Sequence, residues 1–238
     1  MNQPSEEGIV LLMNKPLEWT SFDVVKKVKW MIKAKKAGHA GTLDPLATGL
    51  LIICTEKKTK NISEIQDAEK EYTGTFYIGA TTPSFDLETA RDREFPIEHL
   101  KEEDVRKAFL KYTGNIDQIP PMHSAIKTGG QRAYKIARRG DHVELKSRPL
   151  FIKEFELTRC ELPEVDFRIV CSKGTYIRAL ARDIGESLGV GAHLTALCRT
   201  RIGPYFLTDA FTIADLEAKY PKNNSLETLS DTQNTGNQ

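Results

Sequence analysis

The chain has 238 residues, 39% hydrophobic and 28% charged, enough for one large core or two small ones. Its formal net charge of +1 means that any hold on nucleic acid must come from basic side chains gathered on one face. No apolar run is long enough to span a bilayer as a helix, the polar and acidic start is no secretory signal, and four cysteines without a C-x-x-C pair read as reduced core residues of a cytoplasmic protein.

Residues 1–7 are expected to be disordered, with a strand following at Ile9–Met13. Thr20 can cap the next helix, with Asp23 placed to answer it, and Val24, Val28 and Met31 or Ile32 recur at helical spacing. Lys26, Lys27, Lys29, Lys33, Lys35 and Lys36 make this segment basic. Gly38–Gly49 then holds three glycines, Gly38, Gly41 and Gly49, and Pro45 follows its only carboxylate. Such a stretch predicts neither helix nor strand, but a stiff loop presenting Asp44 at a set angle. A phosphate cradle fits poorly, since the Lys-Ser/Thr ending is missing and a central carboxylate would repel phosphate. The loop runs into an apolar strand, Leu50–Cys54, and a Lys-bearing helical stretch continues to about Gln66.

Tyr72–Ile78 alternates as a half-buried strand, with Tyr72, Gly74, Phe76 and Ile78 on one side. Thr81–Pro96 reads as a surface loop carrying Asp86, and Glu102–Tyr112 as an amphipathic helix with Val105, Ala108, Phe109 and Tyr112 inward. Residues 117–150 read as a mobile insertion: a short strand, a Gly129-Gly130 turn, and a helix on which Arg132, Lys135 and Arg139 share a face. Phe151–Leu162 and Glu164–Cys171 are strands meeting near Pro163. Thr175 is expected to cap a helix ending near Gly189; His193–Ile202 reads as a strand and Thr212–Tyr220 as a last, Thr212-capped helix. Beyond Tyr220 the polar composition predicts disorder. The order of elements predicts an α+β fold, a mixed, largely antiparallel central sheet with flanking helices.

The run GHAGTLDPLATGLL at 38–51 resembles the active-site motif of the bacterial tRNA pseudouridine-55 synthase (TruB-type) family. Four further segments fall in that family's order: Gly8–Pro16 with Thr20–Asp23, Lys70-Glu71-Tyr72, Pro120–Ala125, and Cys171–Arg178. The resemblance covers about residues 8–215 and implies the pseudouridine synthase fold, with 8–220 as one catalytic domain and 117–150 as a thumb-like element clamping RNA. It implies isomerisation of the T-loop uridine of tRNA: the C1′–N1 bond breaks, the base turns, and C5 is joined to C1′. No cofactor or metal is implied, and no obligate protein partner; a monomer acting on the T-arm stem-loop is expected.

The same resemblance assigns the catalytic carboxylate to Asp44, its arginine partner to Arg178 and the active-site aromatic to Tyr72. His39 would wedge into the gap left by the flipped base, Tyr176 and Leu197 would line the uridine pocket, and Lys15 and Lys60 would touch the RNA backbone, as would Arg132, Lys135 and Arg139. Sequence leaves open whether Asp44 attacks the base, attacks the sugar or removes a sugar proton. Two departures stand out: a C-terminal RNA-binding domain is expected to be absent, and His123 stands where an aromatic residue is expected. The alternative reading is a non-catalytic RNA-binding protein or tRNA-folding chaperone on the same scaffold, against which stands the joint presence of Asp44, Tyr72 and Arg178. The catalytic subunit of a guide-RNA particle shares the motif, but depends on the domain expected to be missing.

Overall fold

In the computed structural model the described residues are 6–221, except 123, 125–126, 129–130, 133–135, 137–138 and 140–144. The expectations for the two tails, for His123 and for Lys135 therefore lie outside the described residues, apart from Glu7, which pairs with Lys57 at 2.7 Å.

The apolar run after the glycine-rich loop forms a longer strand than expected, β3 (Ala47–Thr55). Its two faces are both buried, which a run of Leu50-Leu51-Ile52-Ile53-Cys54 requires. Leu51 and Ile53 pack with Val24 and Val28 of α1 (Ser21–Met31) and with Ile32 at its C-terminal cap, while Leu50, Ile52 and Cys54 pack with Ile65 of α2 (Ile62–Asp67). β1 (Val10–Lys15) lies antiparallel on one flank of β3, joined by the short β2 (Ala37–His39). The Thr20–Asp23 capping box starts α1 as expected. The lysine-bearing stretch splits into a 3₁₀ segment, Glu56–Asn61, and α2.

β4 (Lys70–Ile78) shows the expected alternation, with Tyr72, Phe76 and Ile78 buried. A small pair follows in the loop, β5 (Ala80–Thr81) with β6 (Arg93–Glu94), and then α3 (Glu102–Lys111). β7 (Gly114–Gln118) leads to the insertion, whose described part holds the hairpin β8 (Lys127–Thr128) and β9 (Gln131–Arg132). Arg132 thus lies on a strand and not on the expected helix, because it pairs across the hairpin with Lys127. β10 (Arg148–Glu161) and β11 (Glu164–Cys171) form a long hairpin turning at Leu162-Pro163.

α4 (Ile177–Leu188) follows, ending at Gly189 with φ +74°. Thr175 does not cap it; Tyr176 is the cap residue, because the Thr175 hydroxyl is already spent donating to Ser172 O at 2.9 Å. β12 (Ala192–Ile202), β13 (Tyr205–Phe206) and α5 (Ile213–Lys219), capped by Thr212, complete the described fold.

The main sheet runs β1-β3-β12-β4-β11-β10-β7, with β2 on β3 and β13 on β12. Every pairing is antiparallel except β12 with β3. α3 and α4 cover one part of it around Phe76, Phe109, Phe155 and Phe167, whose rings meet edge-on or stacked. No described helix is long and apolar enough to cross a membrane.

Candidate active site

Asp44 lies on the loop between β2 and β3, which is fixed from three directions. The Ser21 hydroxyl at the start of α1 accepts from Leu43 N at 2.8 Å and donates to Leu43 O at 3.1 Å. Pro45 O accepts from Glu18 N at 2.9 Å and from Lys15 Nζ at 3.1 Å. From below, the Arg199 guanidinium donates to Gly41 O and to Leu50 O. The predicted rigidity of the loop thus has identifiable causes.

Lys15 is placed differently from expectation. It is 0% exposed, and its ammonium donates to Pro16 O, Trp19 O and Pro45 O, so it braces the loop and cannot reach an RNA backbone. Burial lowers its pKa to about 8.

Arg178 is in the first turn of α4 and 4% exposed. Its Nε donates to Asp44 Oδ2 at 2.9 Å and lies 3.4 Å from Asp86 Oδ2, while Nη1 donates to Ser84 O at 3.1 Å. The Asp44 side chain remains 41% exposed, so it is held from behind and open in front. A cation in the first helical turn opposes the helix dipole, and the two carboxylates offset that. The backbone ahead of Arg178 is held too: the buried Gln118 amide on β7 accepts from Tyr176 N at 2.9 Å and donates to Tyr176 O at 3.1 Å.

Asp86 was read as part of a surface loop; it is 5% exposed and belongs to the site. The loop folds down because its own hydroxyls satisfy it: Thr82 Oγ1 and Ser84 Oγ both donate to Asp86 O. The T-x-S-x-D spacing signals such a self-bonded turn, yet nothing local says that it meets Arg178, 92 residues further along the numbering from residue 86 to 178. Gln118 and Arg199 were likewise missed, one on an edge strand and the other in an ordinary-looking Arg-Thr-Arg run.

Between Asp44, Asp86, Leu87, Arg178, Leu194 and Leu197 lies a pocket of 20 Å³, room for about one water. Leu46, Thr195, Ala196 and Leu197 connect it with an open groove of 570 Å³ across the sheet, edged by Leu17, Thr48, Thr73 and Thr75. Leu197 is half-buried on β12 opposite Ala47 and Gly74 and lines both cavities. Tyr72 is buried, directly across from Arg199. Burial pushes its phenol pKa up, with Arg199 acting against that. Tyr176 is half-buried as the cap residue of α4, and burial raises its pKa also. His39 ends β2; burial and the nearby Arg199 lower its pKa, which keeps a neutral ring at neutral pH. Lys60 and Arg139 are exposed. Among the described residues no group of His, Cys, Asp or Glu is arranged to hold a metal ion.

The family model described as TruB family pseudouridylate synthase (N terminal domain) matches residues 29–177. A second, described as tRNA pseudouridylate synthase B C-terminal domain, matches 178–232. A tRNA pseudouridine synthase B of Flavobacterium johnsoniae is 56% identical over 218 residues, covering 89% of this chain and 95% of its own. One of Phocaeicola vulgatus is 56% identical over 214 residues, 87% of this chain and 91% of its own. Among solved structures, a chain of a Cbf5-Nop10-Gar1 complex is similar with a TM-score of 0.71 and 30% identity, covering 90% of this chain; this chain spans 55% of that one. With the fold, the loop motif and these relatives in agreement, the chain belongs to the TruB family of pseudouridylate synthases.

Proposed function

We propose that the chain isomerises uridine to pseudouridine in tRNA, at the T-loop uridine, with Asp44 as the catalytic carboxylate. The observation that carries this reading is the Asp44–Arg178 pair at the mouth of a pocket lined by Leu197, in a chain similar throughout to tRNA pseudouridine synthases B. In the reaction C1′–N1 breaks, the uracil turns, C5 bonds to C1′, C5 loses its proton and N1 ends protonated. A carboxylate beside the sugar carbon or the uracil ring serves such glycosidic chemistry. Arg178 orients that carboxylate through its planar fork, and its own position is locked by Asp86 and Ser84 O.

Tyr72 would meet the uracil face, His39 would fill the stack it leaves, and Tyr176 with Leu197 would line the nucleotide's pocket. Lys60, Arg132, Lys135 and Arg139 would contact phosphates, while the segment between β7 and β10 closes over the stem-loop. The scheme supposes a cytoplasmic monomer, and four cysteines outside any disulfide are in keeping with a reducing compartment.

The test uses unmodified tRNA carrying tritium at uracil C5. Tritium release mapped to the T-loop, and a fall of at least about 10³-fold in single-turnover rate for Asp44→Asn with tRNA still bound, is the expected result. Release from another uridine overturns the site of action, and an active Asp44→Asn overturns the residue's role. Binding without release is the outcome for a tRNA-folding chaperone.

A further inference from the structure

Arg199 is 1% exposed and among the largest fully buried side chains. It lies on β12 where that strand runs between β3 and β4, opposite Gly49 on one side and Tyr72 on the other. Its Nε donates to Leu50 O at 2.8 Å and its Nη2 to Gly41 O at 3.0 Å. One acceptor precedes Asp44 in the loop and the other follows it, so a single rigid fork grips both ends of the loop. Gly49 permits this closeness: its φ is +101°, and a Cβ there would stand 2.4 Å from Arg199 O. Tyr72, buried like Arg199, is its directly opposed neighbour on β4, so the two side chains stand on the same face of the sheet.

Among the described residues no carboxylate pairs with Arg199. A buried cation without a counter-ion is costly to the fold, and an aliphatic side chain of similar size would avoid the cost. Its hydrogen bonds lead to the site instead, to a carbonyl at each end of the Asp44 loop, and its cross-strand neighbour is Tyr72. We propose that Arg199 is a positioning residue of the isomerisation, a buried pin that holds the Asp44 loop and the Tyr72 side chain opposite it in one fixed relation. The inference rests on the reading of Asp44 and Tyr72 given under Proposed function.

The charged and titratable groups that act on the phenol are Arg199 from β12, Cys171 from β11 and Asp44 from the loop. Arg199 alone among these three favours the ionised phenol; the other two oppose it. Removing the guanidinium charge therefore moves ionisation of Tyr72 to higher pH. A residue that merely fills space would leave it unchanged.

The experiment compares Arg199→Gln and Arg199→Lys in the full chain, each in the parent and in Tyr72→Phe. Arg199→Gln is expected to slow single-turnover tritium release by about 10–100-fold, the scale of a small misplacement at a reacting centre. Affinity for tRNA should stay within about threefold, since the buried group is remote from phosphates. The alkaline limb of the rate profile, and the phenol midpoint read as an ultraviolet difference between parent and Tyr72→Phe, should both move up. Arg199→Lys should keep that midpoint but still lose rate, because one ammonium cannot replace the fork at two carbonyls. In Tyr72→Phe the further loss on changing Arg199 should shrink, the signature of coupled residues.

An unmoved midpoint and limb, or an equal loss in both backgrounds, overturns the proposal. Should neither Arg199 variant fold, exchange of the Arg199 guanidinium protons decides: faster in Tyr72→Phe supports the contact, unchanged exchange overturns it. An inactive parent or an active Asp44→Asn would sink the functional reading, while the ultraviolet titration still answers for Arg199.

Discussion

Arg178 is held between two unlike carboxylates, one 41% exposed at the pocket mouth and one 7% exposed behind it. That asymmetry separates their places: Asp44 is open to the pocket mouth, while Asp86 holds the guanidinium from behind. Asp86→Ala should destabilise the fold by about 3 kcal/mol, the scale for breaking a buried ion pair. Asp86→Asn, which keeps the shape and an acceptor, should cost only about 1 kcal/mol; chemical denaturation of both variants orders them. The buried lysines make a pH prediction. Lys15 and Lys70 both have pKa lowered to about 8, chiefly by burial, from 10.5. Between those values the unfolded chain binds more protons than the folded one, so each lysine makes stability rise with pH there. Lys15→Met should remove its share: the difference in unfolding free energy between parent and variant should shift in the parent's favour from pH 7 to pH 10. A constant difference would mean that Lys15 titrates normally in the fold.

At the scale of elements, α4 carries Arg178 and must lie hard against β12. Gly185 makes that possible, for a Cβ there would come within 2.1 Å of Ala192 N. Gly185→Ala gains about 1 kcal/mol of helix propensity, yet the backbone clash should dominate and leave a net loss of about 2 kcal/mol or more. Thermal denaturation reads the sign directly. Thr20→Ala, by contrast, should cost about 1 kcal/mol by unmaking the capping box of α1. These two elements also show what was legible beforehand. The Thr20–Asp23 and Thr212–Asp215 caps are local, decided within four residues, and the alternation of β4 is equally local. Thr175 looked like a cap by the same rule, but its hydroxyl had a nearer acceptor in Ser172 O. Lys15 and Asp86 were misplaced because their environment comes from segments distant in the chain, the Pro45 carbonyl for one and Arg178 for the other. Asp44 itself was readable, since its loop's stiffness is written in neighbouring glycines and a proline.

For the whole molecule the decisive placement is β12, late in the chain but central in the sheet, between β3 and β4. The boundary between the two matched family models falls inside α4, one strand short of that closure. Residues 178–202 are therefore not a separable module: without them β4 loses a pairing that runs from Lys70 to Ile78, and β3 loses its pairing at Ala47–Gly49. The full chain should unfold in one cooperative step, with far-ultraviolet dichroism and tryptophan fluorescence giving the same midpoint. The fluorescence reports on Trp19, packed in the α1 cluster, and on Trp30, so a midpoint apart from that of dichroism would show that β1–β3 and the α3–α4 side come apart separately. A fragment ending at residue 177 should aggregate through the strand edges so left unpaired, which light scattering would detect.

The same placement has a consequence for birth on the ribosome. Asp44 and Tyr72 leave the exit tunnel early, yet the strand that lies between β3 and β4 emerges only as Ile202 does, so a nascent chain carries the candidate carboxylate and phenol long before the sheet beside them is joined. Synthesis of β12 is thus the step that joins the β3 and β4 parts of the sheet, and products of synthesis that stop short of it lack that join.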